Sequence, residues 1–314
     1  MDFPFQKSLQ FREFRLDLQS NEAKILDILK DQFVSSEADS GFPVKKQFTF
    51  SIELLRGSGG AEPQPNGLQY SYDRDRDVLQ LEYLSGSIRV EVQYAEDSVR
   101  ACVTADALAH AAALGNWILT IPLAQLLKKS GLYFMHAACL EKDGRGYLFA
   151  GKSGSGKTTL TLGLLQQGWN AISDDDVFLT ERDGQLMALG GPDRCKVTAE
   201  TWRWLEGEKE TDFAGKRELS LERRFPGQLR WETPVDYLFF LAPENRTAIQ
   251  KLQAVTAFER LLRLAFLPGN PKLVRQNWQF LGMLSNRLEA GDLRFQLNFA
   301  DLEQKIQKCI QSEW

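Results

Sequence analysis

The chain has little of what marks a secreted, membrane-spanning or nucleic-acid-bound protein. Only four of its 314 residues are cysteine. Cys102, Cys139, Cys195 and Cys309 are scattered, with no C-x-x-C pair and no zinc-ligand spacing. That excludes a disulfide framework or a structural zinc as the organising device, and free thiols point to a reducing compartment. No apolar run approaches the roughly 18 residues needed to cross a bilayer; the longest are broken by Lys128-Lys129 or by His136. The start, Met1-Asp2-Phe3-Pro4-Phe5-Gln6-Lys7, lacks the long apolar core of an export signal. A formal net charge of −4 removes the electrostatic reason to expect non-specific binding to nucleic acid. No internal repeat or low-complexity tract stands out. These absences predict a cytoplasmic protein with no membrane and no nucleic-acid partner.

What is there is an ordinary globular balance, 43% hydrophobic and 25% charged, which argues against whole-chain disorder. The length suits one large domain or two ordinary ones. Within it, Gly151-Lys152-Ser153-Gly154-Ser155-Gly156-Lys157-Thr158 fits G-x-x-x-x-G-K-[ST] at every fixed position. An apolar run, Gly146 to Ala150, precedes it, and a helix-forming run, Thr159 to Leu165, follows. A strand before and a helix after are the context this motif requires. The glycines permit a sharp turn with inward N–H groups, and a helix N-terminus adds partial positive charge. Gly151, Ser153, Gly154, Ser155, Gly156, Lys157, Thr158 and Thr159 are therefore the expected phosphate-binding set. Lys157 would reach the β- and γ-phosphates of ATP, and the Thr158 hydroxyl would hold Mg²⁺.

The flanks divide into two modules, expected as residues 1–127 and 128–314. In the first, Ser20 to Phe33 carries helical spacing at Ile25, Leu26, Ile28, Leu29 and Phe33, with Asn21 as cap. The stretch 57–67 is a loop by composition. Leu79 to Leu84 and Ile88 to Tyr94 alternate around Ser85-Gly86, which predicts an antiparallel hairpin with one wet face. Leu108 to Leu127 reads as a helix that Pro122 must kink or restart. The first module is thus a small α+β unit with no legible chemistry.

In the second module, Leu132 to Leu140 is a strand joined to the phosphate-loop strand by Glu141 to Arg145, with Asp143-Gly144 at its centre. Five residues cannot hold a crossover helix, so these strands pair antiparallel and His136 is aimed back toward the loop. Gly168 caps the loop helix, and Asn170 to Leu179 reads as a strand, the acidic run Asp174-Asp175-Asp176, and a second strand. Carboxylates at a strand end beside a phosphate loop suit a Mg²⁺ contact. Asp301 to Gln311 is an amphipathic helix that covers the sheet or meets another subunit.

His136-Ala137-Ala138, the hairpin, the Gly151–Thr158 loop, and Gly168 followed by Asp174-Asp175 together resemble the HPr serine kinase/phosphorylase group, and more distantly the phosphoenolpyruvate carboxykinases. The resemblance covers roughly 131–179 and extends weakly to Val235–Pro243 and Ala254–Leu264. It implies an α/β fold: a P-loop kinase core of that type, a mixed sheet with helices, preceded by the small α+β domain. It also implies an ATP- and Mg²⁺-dependent kinase, at times a homo-oligomer, transferring the γ-phosphate to a hydroxyl, serine-type, of a peptide, protein or small molecule. His136 would lie near the transferred phosphate, and Asp174 and Asp175 would serve as general base and metal-linked carboxylate. Consecutive side chains point differently, so the two roles differ. Asp174 as base and Asp175 on the metal is the favoured order, though the motif does not fix it.

The chain also departs from the group. Asp176 stands where those enzymes carry a basic residue, and their second signature, an acidic residue then Arg-Gly and a further glycine, is missing after Leu179. In its place stand Gly190-Gly191-Pro192 and Gly215-Lys216-Arg217. Phosphorolysis and HPr as acceptor are therefore not implied by the resemblance and stay open. Lys216 and Arg217 are either a phosphate clamp or part of a charged surface loop, Trp202 and Trp204 are packing residues, and His110 is structural or exposed. The alternative function is a nucleotide-binding ATPase or switch, or a degenerate scaffold, with no phosphoacceptor.

Overall fold

A computed structural model describes residues 2–32, 42–55, 68–190, 193–206, 215–244, 246–265, 268–295 and 299–311. The chain forms two compact units, Met1–Gly131 with Leu267–Asn277, and Leu132–Phe266 with Trp278–Trp314.

The first unit is a seven-stranded mixed sheet. Its strands are β1 (Phe5–Phe11), β2 (Phe14–Ser20), β3 (Lys46–Leu55), β4 (Gln69–Asp73), β5 (Val78–Tyr83), β6 (Ile88–Gln93) and β7 (Ser98–Thr104), in the order β1-β2-β3-β7-β6-β5-β4. β2, β3 and β7 run parallel; the other pairs are antiparallel. Alternation puts Leu16, Leu18, Phe48, Phe50 and Ile52 in the core. Helix α1 (Ala23–Gln32) buries Ile25, Leu26 and Leu29, each contributing roughly 1.5–3 kcal/mol. Asn21 does not cap it. Its side chain instead bonds the backbone N–H and C=O of Leu54, because β3 lies parallel alongside and offers both groups. Phe33 and the 57–67 loop fall outside the described residues. The expected β5–β6 hairpin is present in antiparallel register. Around Pro122 the helix does not stop. Between α2 (Ala111–Leu114) and α3 (Ile121–Leu127) the residues Gly115–Thr120 widen into π-helix, which suits a residue with no N–H to give and a ring that crowds the preceding turn.

The second unit is an eight-stranded mixed sheet, which agrees with the expected α/β class. Its strands are β8 (Tyr133–Lys142), β9 (Arg145–Ala150), β10 (Asn170–Ser173), β11 (Asp176–Arg182), β12 (Gln185–Leu189), β15 (Glu232–Pro243), β16 (Ala248–Lys251) and β17 (Glu289–Phe295). A separate ribbon pairs β13 (Arg194–Thr198) with β14 (Lys216–Ser220). The hairpin β8–β9 forms as expected, with Lys142 opposite Arg145 and a two-residue turn in which Asp143 and Gly144 both take positive φ, 54° and 77°. That is the turn whose twist matches the strands, and Asp-Gly suits it. β9 then runs parallel to β15, and β15 parallel to β17. Pairings also run β15–β12–β11–β8, so β8, β9, β15, β12 and β11 close into a ring.

Helices of this unit are α4 (Lys157–Gln166), α5 (Ala199–Glu206), α6 (Leu221–Arg224), α7 (Ala254–Leu264), α8 (Pro271–Arg287, whose first turns belong to the first unit) and α9 (Phe299–Gln311). α4 ends in a Schellman motif: Trp169 N–H reaches Leu164 C=O and Gly168 N–H, at φ 79°, reaches Leu165 C=O. Trp169 is fully buried against Tyr147, and its indole N–H donates to Glu303 of α9 at 3.0 Å. α9 packs within the chain, with Leu302 and Ile306 buried and the Phe299 ring against Gly163 of α4, where no side chain would fit.

Candidate functional site

The pairing scheme itself assembles the site. β9 delivers the chain to the loop at Ala150, which lies opposite Ala137. The preceding residue, His136, lies opposite Asp176, the first residue of β11. The far half of β8 pairs with β10, Ser173 opposite Cys139. Asp174 and Asp175 therefore form a bend between two strands that hang on the same strand, and the Ser173 hydroxyl closes it by donating to the Asp176 carbonyl at 2.6 Å.

The loop turns as its glycines allow. Gly156 caps α4 at φ 88°, and a Cβ there would come within 2.9 Å of the Phe295 ring. Ser155 N–H bonds the Lys152 carbonyl at 3.0 Å, while its hydroxyl is buried with no hydrogen-bond partner. Lys152, Ser153 and Gly154 are exposed.

Lys157 is buried. Its ammonium donates to the Gly151 carbonyl at 2.9 Å, contacts His136 Nε2 at 3.1 Å and lies 3.6 Å from Asp175 Oδ1. The imidazole is held on both sides, Nδ1 at 3.3 Å from Asp176 Oδ1 and Nε2 at 3.3 Å from Asp175 Oδ1. His136, Asp175 and Asp176 bring one ligand atom each within 4.8 Å of one another, a grouping able to hold a cation; in this arrangement the Lys157 ammonium is the cation beside them.

Thr158 Oγ1 donates to Asp174 Oδ2 at 2.8 Å. Asp174 is buried, and its Oδ1 has no hydrogen-bond partner. Loss of water pushes its carboxyl up to about 6 from near 3.8. The Thr158 hydrogen bond opposes the rise, Asp175 adds to it, and the Thr161 hydroxyl and Lys157 oppose it. Asp175 is exposed, 58% of its side chain open. Thr159 Oγ1 meets Thr201 Oγ1 of α5 at 2.8 Å, and Thr201 meets Thr198 at 3.2 Å.

Thus the residues expected from sequence, His136, Lys157, Thr158, Asp174 and Asp175, converge. The two aspartates part as consecutive residues should: Asp174 goes to the Thr158 hydroxyl, and Asp175 to Lys157 and His136. Asp176 and Thr201 were not anticipated as neighbours. The signal for Asp176 lay in its strand register rather than its local sequence. Lys216 and Arg217 lie in β14 rather than in a loop. Arg217 stacks over the Trp202 ring at 4.6 Å, Lys216 is exposed, and 207–214 fall outside the described residues, as do Gly191 and Pro192. Trp202 and Trp204 pack against the core as expected, and His110 is exposed.

A strand, a glycine loop with an inward lysine, a helix, and carboxylates on a neighbouring strand end have the arrangement expected of a phosphate-loop unit, here entered through an antiparallel hairpin. Comparison with known proteins points within that class. No family model matches the chain. The chain is 31% identical over 96 residues to the HPr kinase/phosphorylases of Lacticaseibacillus casei strain BL23 and Lacticaseibacillus paracasei, a stretch that is 29% of this chain and 30% of theirs. Over that stretch the chain is similar to HPr kinase/phosphorylases. It spans less than a third of the length of those relatives. The Hpr(Ser) kinase/phosphatase from Coxiella burnetii overlays at a TM-score of 0.33 and 13% identity, over 57% of this chain and 95% of that one, too loose a fit to carry weight.

Proposed function

We propose that the second unit, taken with its flanks as the expected 128–314 module, is an ATP-dependent kinase. It would transfer the γ-phosphate to a hydroxyl, serine-type, on a peptide, protein or small molecule. The convergence of Lys157, Thr158, His136 and two differently placed aspartates on one glycine loop carries this reading. A phosphate loop alone would serve an ATPase or switch equally well.

The residues fit a Mg²⁺-nucleotide. The loop backbone and Lys157 would take the phosphates, with Thr159 beside them. Thr158 and a carboxylate would hold the ion, and Asp174 Oδ1, buried with no well-formed hydrogen bond and only the Thr161 hydroxyl acting on it, is an acceptor that a cation would satisfy. Bound Mg²⁺ would neutralise charge on the phosphates. The two aspartate orders are not equally supported. Asp174 sits on the Thr158 hydroxyl and is closed to solvent, which suits the metal-linked role. Asp175 is open, beside Lys157 and His136, which suits a base receiving the proton of an incoming hydroxyl. This reverses the order favoured from sequence. Positioning and charge neutralisation would supply most of the rate.

The deciding experiment is a calorimetric titration of Mg·ATP into wild type, Lys157→Ala, Asp174→Asn and Asp175→Asn. Binding by wild type and its loss in Lys157→Ala support the reading. Asp175→Asn should bind near wild type yet transfer no phosphate from labelled ATP to any acceptor found. No binding by wild type sinks both the kinase and the ATPase, and leaves a scaffold.

A further inference from the structure

We infer that Asp176 is a positioning residue for His136: it holds the imidazole with its proton on Nδ1, so that Nε2 presents a lone pair to the Lys157 ammonium. The inference rests on the kinase site proposed above, but its central observable does not require nucleotide.

An ammonium carries donors only, and the Lys157 Nζ lies 3.1 Å from His136 Nε2. Toward the ammonium Nε2 can only accept; Asp175 Oδ1, at 3.3 Å, is a neighbour to which it could instead donate, and the nearer ammonium favours acceptance, which places the proton of the neutral ring on Nδ1. A carboxylate accepts only, and Asp176 Oδ1 lies 3.3 Å from Nδ1. The opposite tautomer would set lone pair against carboxylate at one end of the ring and N–H against ammonium at the other. The doubly protonated ring would keep the second clash. Asp175 Oδ1, 3.3 Å from Nε2, is tolerated in the inferred tautomer because the ammonium lies within 3.6 Å of it as well.

Backbone geometry enforces the pairing. His136 and Asp176 are cross-strand partners in the β8–β11 register, and directly opposed side chains sit about 5 Å apart at Cβ. The Ser173 hydroxyl on the Asp176 carbonyl fixes the strand start. A basic residue at position 176 would offer Nδ1 a donor and favour the other tautomer. The hydrogen bond at one ring nitrogen decides what the other can do, so Asp176 acts on Lys157 without touching it.

The test is direct because the chain has only two histidines. Nitrogen-15 imidazole spectra at about pH 8, above the ordinary histidine range, report the tautomer, with His110→Gln assigning the exposed ring. Wild type should show His136 as the Nδ1–H form. Asp176→Asn, whose amide oxygen still accepts, should keep it; Asp176→Ala should lose it. In Mg·ATP titrations Asp176→Ala should weaken binding several-fold, and should add nothing in a His136→Ala background. An Nε2–H ring in wild type overturns the inference, as does a tautomer unmoved by Asp176→Ala, or an effect fully additive with His136→Ala. Should Asp176→Ala fail to fold, the wild-type and Asp176→Asn spectra still decide. Should wild type bind no nucleotide, the kinase reading fails while the tautomer remains readable.

Discussion

Replacing Asp174 by asparagine should stabilise the nucleotide-free protein at neutral pH and leave it nearly unchanged in acid. Asp174 is buried, with one oxygen on the Thr158 hydroxyl and the other unpartnered. Its carboxyl titrates near 6 in the fold and near its ordinary 3.8 when unfolded. Because the folded value is the higher, the protonated form stabilises the fold. That contribution is complete below about pH 4 and is lost as pH rises through 6. At about 1.4 kcal/mol per tenfold in proton affinity, the two values differ by roughly 3 kcal/mol. Asparagine keeps the shape and the acceptor for Thr158 without the buried charge. At roughly 2–4 °C per kcal/mol for a unit of this size, the gain is on the order of 6–12 °C above pH 7. Thermal unfolding of both proteins from about pH 3 to 8, with chelator and no nucleotide, checks it. The melting difference should be near zero at the acid end, grow through pH 6 and level off. A difference independent of pH, or a mutant that melts below wild type at pH 8, would refute the reasoning. With Mg·ATP added, the order should invert, since the charge that burdens the empty fold is what the metal would use.

Further outcomes follow from other contacts. Gly163→Ala drives a methyl into the Phe299 ring and should cost about 1–3 kcal/mol by denaturant unfolding, with much of the loss recovered in Gly163→Ala/Phe299→Leu. Thr158→Ala should leave metal-free nucleotide binding intact while weakening its dependence on Mg²⁺, read from titrations with and without the ion. Glu303→Ala leaves the buried Trp169 indole N–H without its acceptor and removes the Lys142 ion pair, though Lys142 keeps the Gln167 carbonyl; it should cost roughly 1–3 kcal/mol, measured by unfolding with Glu303→Gln as the control that retains an acceptor.

The features legible in the sequence were those specified within a few neighbouring residues. Asp143-Gly144 forced a hairpin, the loop motif named its own flanks, Gly168 ended α4, and four-residue spacing found α9. What escaped was fixed over distance or by weak local cues. The β1–β2 hairpin turns at Arg12-Glu13, with Arg12 at φ 53°, and no glycine, asparagine or aspartate advertises it. β3 joins β2 in parallel across an intervening helix, a pairing no local pattern encodes. Asn21 looked like a cap because its side chain suits one, but a neighbouring strand bound it first. At the site, Asp176 read as one more acidic residue in a turn; only the β8–β11 register sets it opposite His136. The differing surroundings of Asp174 and Asp175 likewise depend on which strand each flank is hung from.

That suspension has a kinetic meaning. The acidic bend is short, and both of its ends are hooked to β8 by sheet hydrogen bonds, one through β10 and one through β11. β8 itself is held in a closed ring of strands. The backbone carrying the carboxylates cannot swing in and out with each turnover as a lid would. Any readjustment of Asp174, Asp175 and Lys157 around a ligand is left to side-chain rotation, which in proteins runs on picoseconds to nanoseconds at open positions such as Asp175. Slow steps of the working cycle would then belong to the segments around the site, and the charged centre would meet every ligand already assembled.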